Sequence, residues 1–127
     1  MELIDSNISA IADSFWLSEA LYNLLSNAIK YTPERGTIRV RAYELNATTA
    51  RLQVDDSGPG IPLTERTHIF ERFYRIDKSR STRSGGRGLG LAITAQIIAA
   101  HDGTIRVETS KLGGASFIIE LPIFSQS

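Results

Sequence analysis

Apolar residues recur at Leu17, Leu21, Leu24, Leu25 and Ala28, the three- and four-residue spacing of one helix face, which predicts a helix over residues 16–30 capped at Asp13 or Ser14. Thr32-Pro33-Glu34-Arg35-Gly36 ends it in a turn. The period then changes to two. Ile38 and Val40 alternate with Arg39 and Arg41 in residues 37–45, and Leu52 and Val54 alternate in residues 50–55, so these runs predict a hairpin closed around residues 46–49. Leu89, Ile93, Ile97 and Ala100 mark a second helix, stopped by His101-Asp102-Gly103 with glycine in its usual position past a helix end. Residues 104–109 and 115–121 form another strand pair across Lys111-Leu112-Gly113-Gly114, and Pro122 limits the last strand. Helices interleaved with hairpins predict an α/β fold, a two-layer sandwich with helices packed on one face of a mixed β-sheet. A doubly wound parallel sheet would instead place single strands between helices.

Composition narrows this to one domain spanning residues 1–127. A chain of 127 residues, 42% hydrophobic and 22% charged, buries enough surface to fold without disulfides or a structural metal. The absence of cysteine excludes thiolate metal sites and cysteine nucleophiles. No stretch approaches the roughly 20 apolar residues of a membrane span, and no basic segment leads into an apolar one at the N-terminus. Fourteen Lys and Arg against fourteen Asp and Glu argue against nucleic-acid binding through overall charge. That balance conceals a division: residues 66–87 carry seven basic and two acidic side chains, and the remainder seven basic and twelve acidic. The basic run is either a solvated loop or, beside a glycine turn, a segment suited to a polyanionic nucleotide.

Four places carry candidate chemistry. At about 100° per residue, Asn23, Asn27 and Lys30 gather on the helix face opposite the leucines. Asn carbonyls are hard oxygen ligands suited to Mg²⁺ and Lys30 can reach phosphate oxygens, although considered alone these residues read first as a solvated face. Val54-Asp55-Asp56-Ser57-Gly58-Pro59-Gly60-Ile61 leaves a strand for a turn in which Gly58 and Gly60 can take positive φ and let a ligand approach. If that turn lines a nucleotide site, an Asp there accepts from a base amino group, since a carboxylate repels phosphate; a tight turn with two solvated acids is the alternative. Gly85-Gly86-Arg87-Gly88-Leu89-Gly90-Leu91 opens the second helix, where unpaired N–H groups favour an anion. It follows no strand and lacks the Lys-Ser/Thr ending of a P-loop. Between the glycine turns, Phe70 and Phe73 are expected to pack, while Arg72 and Arg75 are candidates for phosphate contact.

Taken together, these segments resemble the ATP-binding catalytic domain of sensor histidine kinases. Asn23-Leu24-Leu25-Ser26-Asn27-Ala28-Ile29-Lys30-Tyr31-Thr32-Pro33 matches that family's asparagine box, and Asp56-Ser57-Gly58-Pro59-Gly60 its first glycine box. Phe70-Glu71-Arg72-Phe73-Tyr74-Arg75 matches the phenylalanine box and Gly86-Arg87-Gly88-Leu89-Gly90-Leu91 the second glycine box, while Gly113-Gly114-Ala115-Ser116-Phe117 resembles the final glycine element. The resemblance implies the sandwich fold shared with gyrase, heat-shock chaperone and mismatch-repair ATPases, with ATP and Mg²⁺ as cofactors. It implies Asn27 as the Mg²⁺ ligand with Asn23 beside it, Lys30 near phosphate, Tyr31 against the adenine and Asp56 accepting from the adenine amino group. Gly58, Gly60 and Ile61 would shape the base pocket, with Ser116 also at the nucleotide. Gly86, Gly88, Leu89, Gly90 and Leu91 would close a mobile ATP lid of about residues 66–87 over the triphosphate, and Arg75 would approach the γ-phosphate.

The implied activity is protein histidine kinase chemistry in bacterial two-component signalling: γ-phosphoryl transfer to a histidine on a dimerisation and phosphoacceptor helix pair of the same protein, with a response regulator downstream. Asn23, Lys30 and Arg75 would carry catalysis. In ATPases of the superfamily the position of Asn23 is usually Glu, and a neutral amide is no general base, which favours transfer over hydrolysis. Arg87 stands where the family more often has a small residue. Neither His68 nor His101 is flanked like a phosphoacceptor, so the chain reads as one domain of a larger kinase, placed in the cytoplasm, with no membrane or nucleic-acid contact of its own. The alternatives are a superfamily ATPase, a serine kinase of anti-sigma type and a non-catalytic nucleotide-sensing module.

Overall fold

The computed structural model describes residues 14–71 and 90–122. Helix α1 (Ser14–Tyr31) is followed by strands β1 (Ile38–Asn46) and β2 (Thr49–Asp56), a 3₁₀ turn at Leu63–Glu65, helix α2 (Gly90–Ala100) and strands β3 (Thr104–Thr109) and β4 (Ala115–Pro122). The expected two-layer sandwich is what forms. Ala20, Leu24 and Ala28 of α1 and Ile97 and Ile98 of α2 pack on Val40, Val54, Val107, Phe117, Ile119 and Leu121, and Leu17, Leu21 and Leu25 close the edges of that core.

The sheet order is β1-β2-β4-β3, and every pairing is antiparallel where the sequence predicted a mixed sheet. The reason lies in the crossover. β2 and β3 run in the same direction on either side of α2, but they never pair, because β4 folds back from β3 and fills the gap between them. β4 is thus a central strand, buried along nearly its whole length. The first hairpin turns through residues 47–48, with Asn46 Oδ1 accepting the Thr48 N–H at 2.9 Å, and a register shift between Glu44 and Asn46 places Leu45 in a bulge.

The helix ends follow local chemistry. α1 stops where Pro33 cannot continue it; the cap position Asp13 lies outside the described residues. At the end of α2 the Gly103 N–H donates to the Ile98 carbonyl at 2.9 Å and the Asp102 N–H to that of Ala99 at 3.0 Å, a Schellman closure. The left-handed residue of this closure is Asp102, at φ 61°, and not the glycine that the sequence pattern placed there. His101 Nδ1 donates to the Ile97 carbonyl at 2.7 Å, satisfying a terminal acceptor.

Candidate functional site

α1 presents Asn23 and Asn27 one turn apart and half-buried, then Lys30 and Tyr31 exposed at its C-terminal end, with the Lys30 ammonium 5.3 Å from the Tyr31 ring centroid. Leu24 and Ala28 lock the opposite face into the core, so the amides are held away from it.

β2 delivers the acidic pair, and the period of two sends its members to opposite faces. Asp56, 5% exposed, turns to the side of the turn that follows β2. Its Oδ1 accepts the N–H of Gly58 at 2.9 Å and that of Ala115 at 3.1 Å, and its carbonyl accepts the Gly114 N–H at 3.0 Å. Oδ2 has no hydrogen-bond partner among the described residues, so backbone fixes one carboxylate oxygen and leaves the other with acceptor capacity to spare.

Close approach brings the remaining pieces to this carboxylate. A methyl on Gly58 would lie 2.9 Å from the Tyr31 carbonyl oxygen and 3.5 Å from Thr32 Cα, which ties the turn to the end of α1. Gly58 therefore serves contact; of the two glycines predicted to take positive φ, Gly60 does so, at 77°. Ser57 anchors the turn to β1, its Oγ accepting the Thr37 N–H at 2.7 Å. Ile61 and Leu91 pack against the core as partly buried apolar residues. Gly90 is the first residue of α2, and the N–H groups of that first turn have no carbonyl within the helix to pair with.

Ser116 is held elsewhere in the sheet than Asp56. It stands opposite Asp55 in the strand register, on the sheet face away from the helices, because Phe117 beside it points into the core. There its Oγ accepts from Gln53 Nε2 at 2.9 Å. The neighbouring Ala115 is the residue that meets Asp56, through its backbone N–H. On the same outer face Asp55, 1% exposed, lies 3.0 Å from Arg41 Nη2 and 3.5 Å from Arg39 Nη2. Burial pushes its carboxyl up, but hydrogen bonds from Ser116 and Gln53 and the charges of Arg41 and Arg39 outweigh this and hold it below the usual carboxylate range.

Gly114 belongs to the site although the sequence reading named no role for it. A methyl there would press on Asp56 Oδ1 and stand 2.6 Å from the Gly58 nitrogen. The available signal was a second glycine directly before a strand. Among the described residues no group of three or more His, Asp or Glu side chains could hold a metal, and α1 offers the amide oxygens of Asn23 and Asn27 as hard donors. These fit a Mg²⁺ that arrives with most of its ligands supplied by phosphate and water. Arg72, Arg75, Gly86, Arg87, Gly88 and Leu89, and with them most of the predicted lid, lie outside the described residues. Phe70 packs edge-to-face on Phe117 with ring centroids 6.3 Å apart, as expected of a residue that pins this segment to the core. No helix among the described residues is long and apolar enough to cross a membrane.

Residues 12–125 match the family model for histidine kinase-, DNA gyrase B- and HSP90-like ATPases. The chain is 43% identical over 117 residues to the sensor-like histidine kinase SenX3 of Mycobacterium tuberculosis, covering 92% of this chain and 28% of that protein. It is 39% identical over 120 residues to the signal transduction histidine-protein kinase BaeS of Escherichia coli, covering 94% of this chain and 26% of that one. It thus spans roughly a quarter of the length of these relatives. Among solved structures, the mycobacterial sensor histidine kinase MprB superimposes with a TM-score of 0.78 at 39% identity, covering 89% of this chain and 74% of that chain. The catalytic domain of histidine kinase ThkA does so with a TM-score of 0.79 at 35% identity, covering 94% and 76%. With the asparagine face, the fixed Asp56 and the glycine contacts on one fold, the chain belongs to the family of histidine kinase-, DNA gyrase B- and HSP90-like ATPases, in its sensor histidine kinase branch.

Proposed function

We propose that this domain binds Mg²⁺-ATP and passes the γ-phosphoryl group to a histidine on a separate dimerisation and phosphoacceptor helix pair of the same protein, in the cytoplasm, with a response regulator downstream. The observation that carries the nucleotide reading is Asp56. A buried carboxylate with one oxygen held by two backbone N–H groups and the other without a partner among the described residues is an acceptor set for an exocyclic amino group, which adenine has. Tyr31 offers its ring to the base, and Ile61 and Leu91 supply apolar surface.

Asn27, with Asn23 one turn before it, would hold the Mg²⁺, which when bound neutralises charge on the phosphates. Lys30 adds a cation on the same helix face. Transfer then rests on positioning and charge, with the histidine nitrogen attacking phosphorus as the bond to the ADP oxygen breaks. Asn23 cannot take a proton from water at pH 7, so hydrolysis stays slow. Arg75, Gly86, Gly88 and Leu89 enter this reading by motif alone.

Two measurements test it. By calorimetry, Asp56→Asn weakens ADP about 10–100-fold, since the new amide donor faces the adenine amino group where an acceptor stood. The urea midpoint stays near that of the unchanged chain because Asn Oδ1 still receives both N–H groups. With γ-labelled ATP, label moves to the purified helix pair only when the domain is present. Equal ADP affinity in the variant, or phosphate release outpacing transfer, would sink the proposal.

A further inference from the structure

Beyond the residues that face the nucleotide, we infer that Arg66 is a positioning residue for adenine recognition, a clamp that holds the base turn in register with the β3–β4 hairpin. The inference rests on the nucleotide reading of Asp56. Residues 57–62 are shaped for that role at their start, where Asp56, Gly58 and the end of α1 touch. Further on, Ile69 and Phe70 are fixed in the core. Between these anchors the turn passes Pro59, Gly60 and Pro62, whose rings and missing side chain supply few hydrogen bonds, and Pro59, Pro62 and Leu63 are exposed.

Arg66 spans that interval. Its Nε donates to the Ile61 carbonyl at 2.9 Å and its Nη2 to the Thr109 hydroxyl at 2.9 Å. One planar guanidinium thus grips the backbone of the residue placed against the base and the last residue of β3. Thr109 pairs in register with Ala115, whose N–H fixes Asp56. Pulling on Thr109 therefore registers the turn against the strand end that orients the adenine acceptor. The fork matters: Lys offers no planar pair of donors for two separate acceptors. A groove of about 380 Å³ runs between the turn and the loop of Gly113 and Gly114, with Arg66 and Thr109 in its wall. Ile61 reaches the core on one side of the turn, and on the other the guanidinium crosses from its carbonyl to Thr109 along this groove.

The test is nucleotide binding by the intact chain, comparing ADP with GDP. Arg66→Ala is expected to weaken ADP about tenfold and GDP much less, narrowing the base preference. Thr109→Val, which removes only the hydroxyl acceptor, weakens ADP about threefold, Thr109→Ser restores it, and Arg66→Ala with Thr109→Val together is no weaker than Arg66→Ala alone. A general loosening of the fold would lower both nucleotides alike and would not be rescued by serine. Should Arg66→Ala fail to fold, the Thr109 pair decides by itself. Unchanged ADP affinity in Thr109→Val, an equal loss for ADP and GDP, or full additivity in the double variant overturns the clamp. If the unchanged chain binds no ADP, the nucleotide reading has failed first; if it binds and Asp56→Asn alone loses affinity, only the clamp has.

Discussion

At the scale of the residue, the two neighbouring acids show how one peptide unit separates two jobs. Asp56 gives one oxygen to backbone N–H groups and keeps acceptor capacity on the other, whereas Asp55, on the opposite face, spends its charge on Arg39 and Arg41. Gly114 makes the first arrangement possible by letting backbone pass directly over the carboxylate. In Gly114→Ala the added methyl would meet Asp56 Oδ1 and lie 2.7 Å from the Asp56 carbonyl oxygen. Since backbone must move to relieve it, stability is expected to fall by about 1–3 kcal/mol and ADP affinity at least about tenfold. Urea unfolding and calorimetry on one preparation check this; a loss of stability without a loss of affinity would show that Gly114 serves the fold alone.

At the scale of the element, most boundaries were legible because they rest on local rules. The leucine stripe of α1, the alternation of both hairpins and the stop at Pro33 are contained in a few successive residues. α2 ends at Ala100 as its spacing predicts, but the left-handed position past it falls to Asp102 and not to Gly103. A non-glycine residue at φ 61° carries strain that glycine relieves. Asp102→Gly is therefore expected to stabilise the domain by about 0.5–1 kcal/mol, read as a raised urea midpoint with nucleotide affinity unchanged. A lowered midpoint would mean that the Asp102 side chain contributes more than its backbone costs.

At the scale of the whole molecule, the outer sheet face is a charged layer that joins all four strands. Arg39 and Arg41 of β1 meet Asp55 of β2, and Arg51 of β2 donates to Glu120 of β4 at 2.6 Å, with Arg106 of β3 3.5 Å from the same carboxylate. The Arg51 hydrogen bond, helped by the Arg106 charge, holds Glu120 below its ordinary range, and Asp55 is lowered as well. A carboxylate lowered in the folded state stabilises it fully above the unfolded value and loses that contribution as pH falls through the folded one. Stability should thus drop below about pH 4, the more steeply because two such groups titrate together. Asp55→Asn should cost about 1–3 kcal/mol at pH 7 and flatten that acid limb. Urea midpoints across the acid range check it; an unchanged limb would remove Asp55 from the balance.

The sequence by itself determined the elements, the face of α1 that carries the amides, the separation of Asp55 from Asp56 by strand alternation and the family to which the motifs belong. The first three are written in the spacing of neighbouring residues, and the family in the order of its motifs between Asn23 and Phe117. The same alternation, set by Phe117 in the core, is what turns Ser116 outward. Only the tertiary structure decided that β4 enters between β2 and β3, that the Ala115 N–H reaches Asp56 across 59 residues of chain, and that Arg66 meets Thr109 across 43. Local patterns state which side of a strand is buried, but strand order and backbone contact depend on which edges meet when the core closes, and no short window of sequence contains that choice.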